Sequence, residues 1–159
     1  MEKIILLEYG NINYVIMYKL INFKYFGDNS STLVALENQA NSPFDIKRVF
    51  YIFNVPNGVE RGNHANKYSK FLFIALSGSC KIMLDNSFTQ IEFTLDNPKQ
   101  GLYIDNMIWK KMYDFSPDCV LLVLSDCYYD KDEYIYNYDE YCQIMNSGGG
   151  YRKSALLAA

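Results

Sequence analysis

The chain of 159 residues contains one imidazole, at His64. It stands in the polar run RGNHANK, Arg61 to Lys67, between two apolar segments that read as strands. Residues two apart in a strand share a face, so His64 and Asn66 point the same way. If that face lines a barrel, both look into its cavity and Arg61 stands at the edge. An imidazole in an apolar cavity is an acid–base group near neutral pH. A partly exposed loop histidine is the plainer outcome, and spacing by itself favours it.

Other residues pose the same choice. Tyr51, in the alternating segment RVFYIF, is either a phenol donor inside the cavity or a packing residue with its hydroxyl at the edge. Lys47 and Arg48 open that segment, where basic groups face solvent or pair with phosphate oxygens. Trp109, the single tryptophan, is a packing residue by default. The acidic, tyrosine-rich stretch with Asp130, Asp132, Asp139 and Glu140 reads as a solvated helix face.

The elements that must position these groups are short strands. Turn signals recur as GDNS, NSP, PNG, SGS, DNS, DNP and SPD, and between them lie β-branched and aromatic runs such as FLFIAL and CVLLVL. This spacing predicts an all-β sandwich or barrel. CKIML and FTQIEF read as a hairpin about Asp85-Asn86-Ser87. A short C-terminal helix is expected over residues 130–145, with Asp132 and Glu133 in its first turn. Residues 147–159, beginning within the glycine-rich NSGGG, are set apart as a flexible tail.

Composition narrows the function classes. A mass of 18.5 kDa, half of it hydrophobic residues, suits one domain with a real core. A net charge of −3 argues against a broad nucleic-acid surface. No apolar stretch reaches the ~20 residues of a membrane helix, and Glu8 cuts the first apolar run too short for a signal peptide. Cys80, Cys119, Cys127 and Cys142 form no CxxC pair, so a cytoplasmic, reduced protein without a zinc site is expected.

Taken together, PFDIKRVFYIFNVPNGVERGNHANK, LFIALSGSCKIMLDN and the segment from GLYIDNMIWKK to YIYNYDEY resemble the dTDP-4-keto-6-deoxyhexose 3,4-ketoisomerases. The likeness runs from about residue 20 to residue 145, and its motifs fall in order. The resemblance implies a cupin-type jelly-roll domain over residues 1–146, with no metal or organic cofactor. It also implies a homodimer with exchanged N-terminal strands, residues 14–20 serving as such a strand. The implied reaction moves a carbonyl from C4 to C3 of the hexose through an enediol, in making an aminodeoxy sugar for surface glycans. A base takes the C3 proton and an acid delivers one to C4.

Carried over by position, the family motif GHAHK falls on Asn63 to Lys67. Its first histidine is His64; its second, the family's proton shuttle, is Asn66 here. Asparagine hydrogen-bonds as imidazole does but carries no proton near neutral pH. The resemblance thus gives His64, Tyr51 and Asn66 as the catalytic set, and Arg48, Arg61, Lys67 and Trp109 as the substrate-binding set. A second departure is Asp28-Asn29-Ser30-Ser31, where the family commonly has a basic residue with glycine, which leaves the product epimer open.

Three readings of Asn66 stand at this point. It is a replacement introduced to trap a ligand complex, or a variant in which His64 works with Tyr51, or the mark of a non-catalytic dTDP-sugar binder. An uncompensated loss of the shuttle predicts that Asn66→His restores a rate of ~10²–10⁴-fold. A C3/C5 epimerase-like cupin is the more distant alternative.

Overall fold

The computed structural model describes residues 4–7, 15–28 and 30–147, with side chains from residue 17 onward. Two antiparallel sheets face each other. The first runs β1 (Ile4–Leu7), β2 (Val15–Asn22), β10 (Gln100–Ile104), β7 (Phe71–Ser77), β12 (Val120–Ser125), β5 (Arg48–Phe53). The second runs β13 (Tyr134–Ile135), β6 (Arg61–Asn66), β11 (Trp109–Tyr113), β8 (Cys80–Asp85), β9 (Gln90–Leu95). A ribbon of β3 (Tyr25–Gly27) and β4 (Thr32–Val34) lies outside them. This is the cupin-type jelly roll.

Strand alternation decides what each face holds. Phe71, Phe73 and Ala75 of β7 point inward and meet Ile82, Leu84, Leu102, Met112, Leu121 and Val123 in the main core. Leu72 and Ile74 point outward and pack with Phe23 and Leu124 beneath Val34, Leu36, Phe44 and Ile46. Covered on both faces, β7 reads as the unbroken apolar run FLFIAL rather than as alternation.

The segment after Asp130 differs from expectation. Only Tyr138–Asn146 is α-helical (α1), with the Asn137 side chain accepting from the Glu140 amide as N-cap. Before it come a 3-10 turn, Lys131–Glu133, and β13, which pairs Tyr134 with Asn66 and Ile135 with Ala65. A free strand edge on β6 recruits these residues, overriding the acidic pattern that resembled a helix start. Glu133 is fully buried, whereas Asp139 and Glu140 occupy the true first turn.

The β8–β9 hairpin also starts later than expected. Asp85 pairs with Gln90, and Asn86 Oδ1 accepts from the Phe88 and Thr89 amides, so Phe88 belongs to the turn. Residues 148–159 lie outside the described residues. The segment proposed for strand exchange forms most of β2, which pairs here with the chain's own β10.

Candidate functional site

Between the sheets, toward one end of the barrel, is a cavity of about 140 Å³. Arg48, Phe50 and Ile52 of β5 and Phe71 and Phe73 of β7 form one wall; Arg61, Gly62, His64, Lys110, Met112 and Tyr134 form the other. The first wall follows from simple alternation. The second does not, because β6 contains a bulge.

His64 lies opposite Lys110, whereas the next residue of β11, Lys111, lies opposite Gly62. The extra residue is Asn63, at φ +58°, beside Gly62 at φ +87°. A Cβ on Gly62 would come within 2.9 Å of the Lys110 carbonyl oxygen and of Met112 Cε, so this close approach needs glycine. Past the bulge the parity of β6 changes. Arg61 pairs with Met112, and so shares the inner face with His64 although the two are three residues apart.

Directly opposed residues share a face, which places a row of polar side chains across three strands: Tyr134, Asn66, His64 and Lys110. Lys110 is buried, with 3% of its surface exposed, and its Nζ donates to Asn66 Oδ1 at 2.6 Å. The same ammonium sits 4.8 Å from the Phe71 ring centre. Asn66 is buried too, and its Nδ2 has no hydrogen-bond acceptor. The His64 ring lies tilted at 4.8 Å from the Tyr134 ring and edge-on at 5.8 Å from that of Tyr136.

Burial dominates the electrostatics. Desolvation, helped by the Lys110 charge, pushes the His64 pKa down to about 4. Its nearness to Asn66 and to the Gly62 backbone opposes this without reversing it, leaving a neutral ring at pH 7. Desolvation brings Lys110 down to about 7 against the opposing pull of Glu133. Arg48 lies over the rings of Phe50 and Tyr129, at 4.5 and 5.0 Å. Neither Arg48 nor Arg61 forms a salt bridge among the described residues. The cavity therefore presents cationic donors to an anion and titratable groups to a neutral ring.

Three expected site residues lie elsewhere. Tyr51 sits on the outer face of β5, 62% exposed and against Phe53, because β5 alternates strictly and Arg48 and Phe50 fix its inner face. Trp109 faces away from the cavity, packed on Tyr138 and Tyr141 beneath α1. Lys67 lies beyond the end of β6, and its Nζ donates to the Asp132 carbonyl at 2.9 Å. Lys110 and Tyr134 line the site without having been expected there. For Lys110 the signal was present: in IWKKMY, Lys110 is two residues before the apolar Met112. Among the described residues no group of His, Cys, Asp and Glu is assembled to hold a metal.

This arrangement can be set beside known proteins. A family model described as "FdtA: WxcM-like, C-terminal" matches residues 17–146. The chain belongs to the FdtA family. It is 46% identical over 123 residues to the TDP-4-oxo-6-deoxy-alpha-D-glucose-3,4-oxoisomerase of Aneurinibacillus thermoaerophilus, covering 77% of this chain and 88% of that one. Among solved structures it resembles WlaRA, a TDP-fucose-3,4-ketoisomerase from Campylobacter jejuni, with 47% identity and a TM-score of 0.79. That match covers 84% of this FdtA-family chain and 98% of WlaRA. A histidine-to-asparagine mutant of the 3,4-ketoisomerase QdtA from Thermoanaerobacterium thermosaccharolyticum, solved with TDP-4-keto-6-deoxyglucose, is 39% identical at a TM-score of 0.81. It covers 84% of this chain and 97% of its own.

Proposed function

We propose that the chain is a 3,4-ketoisomerase acting on a TDP-linked 4-keto-6-deoxyhexose. The observation that carries this reading is one cavity in which Arg48 and Arg61, without a salt bridge among the described residues, meet the neutral His64 and the buried Lys110, whose Nζ holds Asn66. The reaction breaks the C3–H bond and forms a C4–H bond; the hydroxyl proton on O3 ends on O4. Its intermediate is an enediolate, an anion that forms only as the reaction proceeds. Donors fixed beforehand in a dry cavity stabilise such an anion more than water does. His64, neutral at pH 7, offers an N–H to an enediolate oxygen, and Arg48 and Arg61 suit the diphosphate. Binding energy from that distant diphosphate orients the ring. A 3-keto product is the form an aminotransferase would consume, in keeping with a cytoplasmic role in aminodeoxy-sugar synthesis.

Incubation with TDP-4-keto-6-deoxyglucose in D2O, followed by NMR, tests the reading. A 3-keto product whose C5 proton is retained is expected. Exchange at C5 would mean an epimerase instead, and TDP binding with an unchanged sugar would mean a binder.

The same reading includes a homodimer. Val49, Tyr51 and Phe53 expose an apolar stripe on edge strand β5, the kind of surface a second subunit covers. Exchange of β2 between subunits would reproduce the β2–β10 register between chains. Sedimentation equilibrium at micromolar concentration should give twice the 18.5 kDa chain mass.

A further inference from the structure

Asn66 leaves this site without the proton carrier that the reaction needs, yet the space beside its carboxamide is filled. The tip of Lys110 lies there, 2.6 Å from Asn66 Oδ1, on the wall of the cavity and opposite His64. We infer that Lys110 is the catalytic residue that carries the proton between C3 and C4. The inference rests on the isomerase reading above.

The other polar groups of the lining, and Asn66 bound to Lys110, are less suited. Arg48 and Arg61 carry guanidinium groups, which donate hydrogen bonds and offer no lone pair to a proton. His64, held near 4, is a weaker base toward a carbon acid than an amine near 7. Asn66 exchanges no proton. Lys110 sits near 7, where both of its forms are populated at neutral pH. The groups facing it are His64 and Arg61 on β6, Arg48 on β5, Tyr134 on β13 and Glu133 on the 3-10 turn. Glu133 favours the ammonium form but makes no hydrogen bond to it, because its oxygens accept from Ser69 and from the Tyr68 amide.

The step balances without a further reactant. The lone pair of neutral Nζ takes the C3 proton, and the C–H electrons form the C3–C4 double bond with charge on O4. The hydroxyl proton of O3 passes to O4 within the enediolate. The charge on O3 then re-forms a carbonyl at C3 while Nζ returns its proton to C4, regenerating the amine. The free Nδ2 of Asn66, its Oδ1 fixed by Lys110, is left to donate to an enediolate oxygen.

The test compares the full-length protein with Lys110→Gln, which keeps a donor for Asn66 Oδ1 but has no basic lone pair. Parent kcat should rise with pH through an apparent pKa near 7. In Lys110→Gln, kcat should fall ~10²–10⁴-fold with KM changed by no more than about threefold, and the pH limb should vanish. Lys110→Gln keeping more than about a tenth of the parent kcat with the same limb overturns the inference and leaves the isomerase reading standing. A parent that binds TDP but neither forms the 3-keto sugar nor exchanges the C3 proton overturns both. The parent profile decides even if the variant does not fold: a kcat flat from about pH 6 to 8.5 rules out a carrier titrating near 7.

Discussion

His64 and Lys110 stand directly across from each other in the β6–β11 ladder, and both face the cavity. Two basic groups are thus buried side by side: burial and the Lys110 charge favour the neutral form of His64, and burial favours the neutral form of Lys110. Both native pKa values lie below the unfolded ones, so over the interval between them the unfolded chain binds more protons and stability rises with pH. For His64 that interval runs from about 4 up to its ordinary 6.5, and for Lys110 from about 7 up to 10.5. Stability should therefore fall as pH drops through each window. Lys110→Met should remove about one proton's slope, ~1.4 kcal/mol per pH unit, between about pH 7.5 and 9.5. Urea unfolding of parent and variant at several pH values measures the difference.

Asn66→His should leave the isomerisation rate within about tenfold of the parent. The ammonium of Lys110 already occupies the place beside residue 66, so a new imidazole adds a second basic group rather than the first. Steady-state kcat is the measurement. A gain of ~10²-fold or more would mean that the shuttle is missing and uncompensated.

Glu133→Ala should destabilise the fold by about 2–4 kcal/mol. The carboxylate is fully buried and accepts from the Ser69 amide at 3.0 Å and from the Ser69 hydroxyl, so truncation strands buried donors. Glu133→Gln, which keeps one acceptor, should cost less. Denaturant midpoints compared at equal m-values give both numbers.

TDP should protect the protein against heat, with about 2.7 kcal/mol of stabilisation at a hundred times its Kd. Arg48→Ala and Arg61→Ala should each weaken that binding by about 1.5–3 kcal/mol, or about 10–150-fold, as expected for lost charge-assisted bonds. Thermal shifts over a TDP titration read both effects. Tyr51→Phe, on the outer face, should leave TDP binding unchanged.

How much of this could be read from the sequence depends on where alternation holds. In β5 the period of two is unbroken, so RVFYIF places Arg48, Phe50 and Ile52 on one face; what alternation leaves unsaid is which face is inner, and the structure turns Tyr51, in the catalytic set implied by the resemblance, outward. In β6 the bulge at Asn63 breaks the period, and the inward turn of Arg61 follows from cross-strand register, a non-local quantity. Lys110 and Lys111 are chemically alike neighbours on opposite faces, and only Met112 distinguishes them. Tyr134 was hidden differently: its segment has the local composition of a helix start, but the open edge of β6 decides its conformation. His64 and Asn66 lie on the regular side of the bulge, so spacing puts them on one face, but spacing by itself favours an exposed loop; the family resemblance is what points His64 into the pocket.

The bulge also confines the effect of a change in chain length. In a regular strand, loss of one residue turns every side chain beyond it to the other face. In β6 the bulge absorbs the change: loss of Asn63 would restore strict alternation with Gly62 still opposite Lys111 and Arg61 still opposite Met112, so Arg61 would go on facing inward. His64, Asn66 and their partners Lys110 and Tyr134 would keep their register. A deletion here would thus leave the lining unchanged on both sides of the bulge. The chain can lose a residue at this one place in β6 while the guanidinium at the rim and the wall behind it both keep their direction.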